Sequence, residues 1–316
     1  MKKFIIGLVV LSTMFLVGCS EEDPVLDSAK LLQEGVYNLM GVSSLRYEVD
    51  LNFDMTDTLT KEEVVAEMDV NGSFSSMDDG SRGSEINMVA KINSVDGDYR
   101  FDVALKQVEA FLYLKLLDVP TVPDMPVELF ASLVDTWWQI EGASTEDLGL
   151  GVEGFGDFGI PYEDLTEEGK AARDLILESN FFTGFEFKGA EELKGNEAYL
   201  YTVGLDTDGI YDYALKSKEL KGEEFTPEEK EKMTASLAAM KDDVFDVWID
   251  VNTSTIAGFA GTFIVSEEGS LVEGGMDLAL YDINQPFQVK APVDYEVFDL
   301  GMFFGAFMAT ELGDEL

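Results

Sequence analysis

The sequence contains no histidine and a single cysteine, Cys19. Without histidine the chain lacks the commonest general base near neutral pH and the commonest transition-metal ligand. Ser-His-Asp and Cys-His catalysis are therefore excluded. One cysteine permits neither an internal disulfide nor a thiolate metal cluster. Basic residues are scarce as well: 21 Lys and Arg face 63 Asp and Glu, giving a formal net charge of −42. Phosphate binding needs clustered Lys and Arg, so nucleic acid is not an expected partner. An anionic leaflet attracts basic surface, so the surface of this chain does not itself hold a membrane. The charge fits a solvated, self-repelling exterior.

Long apolar runs are few, and one of them opens the chain. Lys2 and Lys3 form a basic head, Phe4 to Val17 is almost unbroken apolar sequence, and Leu16-Val17-Gly18-Cys19 closes it with small residues. This is the three-part build of a secretory signal, shorter than the ~20 residues of a mature membrane span. The alternative is an uncleaved anchor helix that contains one Cys. The ending Leu-Val-Gly-Cys resembles the bacterial lipobox. That resemblance implies a signal peptide over residues 1–18, an acylated Cys19 as the new N-terminus, and a short acidic tether over 19–27. It also implies an extracytoplasmic protein held by lipid at the cell membrane or outer membrane.

Hydrophobic residues make up 46% of the sequence, enough for a packed core. From Asp27, Ala29, Leu32, Val36 and Leu39 recur at helical steps and Gly41 marks the stop. The period then changes to two. Leu45 to Met55, Val64 to Phe74, Ile86 to Ile92 and Tyr99 to Leu105 alternate apolar with polar residues. Links this short imply an antiparallel meander. Val108 to Leu117 is apolar on both faces, so something must pack over its inner face. Pro120, Pro123 and Pro126 break the pattern, a helical turn is expected at 127–134, and Trp137 to Ile140 reads as a strand. Residues 142–161 form an acidic, Gly-rich loop. Asp164 with Glu167 predicts a capping box opening a helix. Strands follow at 181–187 and 197–205, then two helices, the second opened by Thr226-Pro227-Glu228-Glu229. A second meander covers 244–283, and the apolar run Leu300 to Ala309 ends the chain. The two meanders suggest a degenerate repeat, without a shared motif.

A large sheet with one dry face must cover it. The expected fold is therefore α+β: one domain over 28–299, a large curved antiparallel sheet forming an open half-barrel, with amphipathic helices on its concave face. Residues 300–316 are expected as an apolar C-terminal tail. Val244-Phe245-Asp246-Val247-Trp248-Ile249-Asp250 followed by a turn and Ile256, and Gly195-Asn196-Glu197-Ala198-Tyr199-Leu200-Tyr201, are similar to the hairpin and preceding strand of the LolA/LolB and LppX/LprG half-barrel lipoproteins. The resemblance runs loosely over 28–299, and the 142–161 loop and the C-terminal run depart from it. It implies non-enzymatic binding of a lipid or acyl chain inside the half-barrel.

On that reading the sheet residues expected to line a ligand cavity are Phe53, Met68, Phe101, Phe111, Tyr113 and Trp137. Tyr199, Tyr201 and Trp248 join them from later strands, and Met233 and Leu237 from a helix. Thirteen Met and 22 Phe make such a lining adaptable. No cofactor, metal or catalytic residue is expected. Asp206-Thr207-Asp208-Gly209 is like the opening of a calcium loop, but Ser217 stands at the twelfth position where Glu is required, so helix capping is the better reading. A hydrolase lacks any nucleophile–base constellation. Two readings stay open: a lipid-anchored carrier of an apolar ligand, and an acidic scaffold lipoprotein with no small-molecule ligand. The residues name no protein partner.

Overall fold

The computed structural model describes residues 28–57, 63–76, 82–95, 97–109, 111–118, 133–141, 159–220, 222, 224–267 and 270–299. The signal segment, Cys19 and its tether, the turn expected at 127–132, loop residues 142–158 and the tail from residue 300 lie outside them. Helix α1 (Ser28–Met40) leads into a meander of β1 (Ser44–Asp57), β2 (Glu63–Ser76), β3 (Arg82–Ser94), β4 (Gly97–Val108), β5 (Phe111–Asp118) and β6 (Trp138–Glu141). Then come α2 (Glu167–Glu178), β7 (Phe182–Leu193), β8 (Asn196–Leu205), α3 (Thr207–Leu220) and α4 (Pro227–Ala239). The last described elements are β9 (Val244–Asp250), β10 (Ile256–Glu267), β11 (Ser270–Tyr281) and β12 (Glu296–Asp299).

The described strands form one 12-stranded sheet in the order β12-β6-β5-β4-β3-β2-β1-β11-β10-β9-β8-β7. It is an open half-barrel, as expected, with edges at β12 and β7. Among the described strands all pairings are antiparallel except β12 with β6, and an isolated parallel bridge joins Leu116 to Val134. The two meanders meet where β1 pairs with β11 in unbroken register from Arg46↔Tyr281 to Asp57↔Ser270.

Helix starts follow local chemistry. Thr226 caps α4 in a full capping box: its hydroxyl accepts from Glu229 N at 3.2 Å, and Glu229 accepts from Thr226 N at 2.6 Å. Asp206 caps α3 by accepting from Gly209 N at 3.0 Å, which accounts for the Asp-rich stretch as a cap. Helix α2 differs from expectation. Its cap is Thr166, which accepts from Gly169 N, while Tyr162–Asp164 forms a separate 3-10 turn.

The helices pack on the concave face. Leu32, Val36 and Leu39 of α1, Ile176 of α2, Ile210 of α3, and Met233 and Leu237 of α4 join Leu51, Phe53, Val203, Val247 and Phe259 in one buried core. Each such side chain contributes about 1.5–3 kcal/mol by leaving water. Aromatic rings lie over glycines in this core. A Cβ on Gly274 would come within 2.4 Å of the Phe263 ring, and one on Gly261 within 2.2 Å of Phe245.

The segment from Asp282 to Tyr295 crosses the convex face as a strap. Asn284 N donates to Ser44 O at 2.7 Å, and Arg46 lies over the Phe287 ring at 5.5 Å. Val289 is buried against Gly83, and Tyr295 meets Tyr113 edge-on at 5.2 Å. This delivers β12 to the far edge, where it runs parallel to β6. Neither strap nor β12 was expected from the sequence.

Candidate functional site

Alternate residues of a strand face opposite sides of a sheet, so the ladder register sorts the expected lining. Phe53 pairs with Gly274 and Ala66, Met68 with Leu51 and Ala90, and Phe101 with Ala90. All three face the concave side. Tyr199 and Tyr201 face it from β8, flanking Phe187 at 5.8 and 5.2 Å. Tyr201 is wholly buried, and Met233 and Leu237 are nearly so. These three are core beneath and within the helical cover.

Four expected lining residues face the other way. Phe111 is 49% exposed on the convex side. Tyr113, on the same side, is buried by Tyr295 of the strap. Trp137 holds Lys106 over its ring at 5.4 Å. Trp248 donates its indole N–H to Glu191 and lies over Gly258 on the convex face. The physical reason is parity. Leu112 and Leu114, not their neighbours, pair with Ile140 and Trp138 on the concave side.

The helical cover does not extend evenly. The main core draws its helical contacts toward β7 and β10. A second, small core at the opposite edge holds Leu112 and Ile140, packed by Leu114, Trp138 and Phe298. Between them runs a lane on β3 and β4. Its concave residues Ile86, Met88, Ile92, Tyr99, Phe101, Val103 and Leu105 are apolar, half-buried, and belong to neither core. Most were visible as the apolar half of an alternating pattern. What the pattern could not show is which strands, among the described residues, the helices do not pack against.

Tyr47 stands at the border of the lane. Burial pushes its hydroxyl up to about 12. The convex face is different in kind. Glu48, Asp50, Asp69, Asn71 and Tyr281 line a shallow cleft of about 220 Å³. Partial burial, then the Asp69, Asp277 and Glu48 carboxylates, raises the Asp50 carboxyl above its ordinary range. A hydrogen bond from Lys194 lowers Glu48.

A second cleft of about 220 Å³ lies at the end of α1, lined by Tyr37, Asn38, Gly41, Arg173, Thr253, Thr255 and Asn284. Its buried Arg173 donates to the carbonyls of Met40 and Ile160 at 3.3 and 2.9 Å, pinning the incoming chain to the helix end. Neither cleft includes an expected lining residue. Asp250, the last residue of the hairpin motif, is buried and accepts from Asn252 N, Thr253 N and Thr253 Oγ1 at 2.9, 2.7 and 2.9 Å. It holds the β9–β10 turn. Among the described residues no cluster of acidic or thiol ligands could hold a metal.

No protein-family model matches the chain, and no curated protein matches it. Among solved structures it is similar to LprF from Mycobacterium bovis, with TM-score 0.40 and 10% identity over 84% of this chain and 97% of that one. It is similar also to the lipoprotein LppX from Mycobacterium tuberculosis, with TM-score 0.34 and 14% identity over 85% and 100%. An outer membrane lipoprotein-sorting protein domain from Vibrio parahaemolyticus aligns with TM-score 0.20 and 8% identity over 84% and 94%. At these values the likeness is one of chain course alone.

Proposed function

We propose that this chain is an extracytoplasmic lipoprotein, anchored by an acylated Cys19, that binds a lipid or acyl chain on the concave face of its half-barrel and has no enzymatic activity. The observation that supports this is the apolar lane of β3 and β4, left between two cores and lined by Met88, Phe101 and Leu105. An apolar chain laid there removes surface from water at roughly 25 cal/mol per Å². The half-buried Met side chains adapt to its shape.

Native mass spectrometry of residues 20–316, purified from a bacterial host, tests this reading. Excess mass that organic extraction releases as phospholipid or fatty acid is expected. A clean apo mass, with no uptake of added lipid, overturns it. The acidic convex cleft at Asp50 and Asp69 favours the second reading, a scaffold whose partner is cationic. In that case binding weakens steeply with salt and the interior stays dry.

A further inference from the structure

We propose that the end of the half-barrel where Met55 and Val95 stand is the mouth through which an apolar ligand passes between the concave lane and a lipid surface laid against that rim. The inference rests on the lipid-binding reading above and adds the route by which the ligand enters.

The strand register gives the sheet two unlike ends. At one end a single concave rung runs Leu45, Phe74, Ser84, Gln107, Leu112 and Ile140. That end is closed. Leu45 and Leu112 are only 5% and 4% exposed. Gly159 sits against the Phe74 ring, where an added Cβ would come within 2.8 Å, and its N–H donates to Met40 O at 2.7 Å. Arg173 holds the same two segments together through the carbonyls of Met40 and Ile160.

The other end keeps its apolar side chains in water. The lane reaches it at the Ile92–Tyr99 pair, beside the β3–β4 turn whose last pair is Ser94 with Gly97. Val95 in that turn is 72% exposed. On β1, Met55 stands between Val64 and Val272 and is 37% exposed, while Leu51 and Phe53 farther in on the same face are buried. Val64, Ala66 and Met68 of β2 carry the apolar surface from Met55 to Ile92 and Ala90 of β3. Lane and rim are therefore one continuous concave surface. Contiguous exposed apolar side chains of this kind mark contact with a membrane or an apolar partner. Here they lead straight into the lane.

Charge selects the surface they meet. Asp54, Glu63, Asp98 and Glu273 are exposed on the convex flank of the same rim. Carboxylates are repelled by an anionic leaflet. The rim fits zwitterionic headgroups, beneath which aliphatic side chains enter the acyl boundary.

The test uses the full chain with its anchor. Met55→Glu and Val95→Glu are combined, and Val95→Glu is also made alone, since that exposed side chain supports no packing. Transfer of a neutral pyrene-labelled acyl ester from phosphatidylcholine vesicles is followed by stopped flow, and its equilibrium affinity is measured in parallel. The double variant is expected to slow transfer at least about tenfold and to keep the affinity within about twofold. Uptake and release slow together, because the rim acts on the passage and not on the bound state. Phe111→Glu, at the closed end, should change neither. A double variant that transfers at the unaltered rate overturns the proposal, as does one whose affinity falls as steeply as its rate.

A second readout needs no ligand. A benzophenone side chain is placed at Val95 or at Phe111, and the chain is irradiated on tritiated phosphatidylcholine vesicles. Lipid adducts are expected at Val95 and at least about tenfold fewer at Phe111. Equal adducts at the two positions, adducts to protein alone, or none at either overturns the proposal. The outcomes also separate it from the reading it rests on. Ester uptake that the rim charges do not slow removes the mouth and leaves the carrier. No ester uptake, with adducts still at Val95, removes the carrier and its passage and leaves the rim as the lipid-facing surface.

Discussion

The ring of Tyr47 lies directly across the sheet from Gly72: a Cβ on Gly72 would stand 2.4 Å from the ring's Cζ and 2.5 Å from the Glu85 carbonyl oxygen. One side of that contact is backbone, so it cannot yield by rotating a side chain. Gly72→Ala is therefore expected to cost about 1–3 kcal/mol, as overpacking does. Urea denaturation should show a lower midpoint with an unchanged slope.

The same burial sets a pH dependence. Tyr47 ionises near 12 in the folded chain against an ordinary 10. Below pH 10 both states keep the proton and the folded chain carries the full benefit. As pH rises from 10 to 12 the unfolded chain ionises first, so stability falls, by an amount on the order of 2 kcal/mol. Denaturation at pH 8 and pH 11.5 should show this loss, and Tyr47→Phe should make it smaller.

Asp50 behaves in the opposite setting, exposed among like charges. Its raised carboxyl pKa means that ionisation opposes folding. The stabilising, protonated form is lost as pH rises through the carboxylate range. Asp50→Asn is expected to raise the melting temperature at pH 7 in low salt. The gain should shrink in high salt and vanish below the carboxylate range. A gain independent of salt would contradict this account.

Asp250 supports three hydrogen bonds in a buried turn. Asp250→Ala leaves those donors without their acceptor and is expected to cost about 2–4 kcal/mol. Asp250→Asn keeps an acceptor oxygen and should retain much of the stability. Comparing the two by thermal unfolding checks that the motif's acid is architectural.

For ligand uptake, Met88→Glu places a charge in the lane, while Asn87→Glu places one on the convex face beside Asn71. The first is expected to weaken binding of a fluorescent fatty acid at least tenfold, ~1.4 kcal/mol. The second should leave it unchanged. Equal effects would show that the ligand does not use the concave face.

Much of the fold was legible because its strands alternate cleanly. Leu45 to Met55 announced β1, and Thr226-Pro227 announced α4, through local chemistry that the tertiary structure left intact. The tight hairpin between β4 and β5 was harder. Its turn residue Glu109 takes φ 54°, a left-handed conformation usually signalled by Gly or Asn. The strap and β12 were illegible, since their partners at Ser44, Gly83 and Trp137 are distant in sequence. The candidate site was half legible. Hydrophobicity found Phe53, Met68 and Phe101, but large aromatics drew the reading toward Phe111, Trp137 and Trp248, which face outward. Size and burial do not reveal which face a strand residue takes; only the register does.

The seam between β1 and β11 has a consequence for how the protein is made. Strand β1 leaves the ribosome more than 200 residues before β11, yet they are neighbours at the middle of the sheet. Until residue 281 has been synthesised, the first meander has an unpaired strand where the sheet should continue. Its centre is completed only after the whole first meander has been made. A chain truncated in the second meander would therefore expose the ladder of β1 along its whole length, inviting association with other unfinished chains.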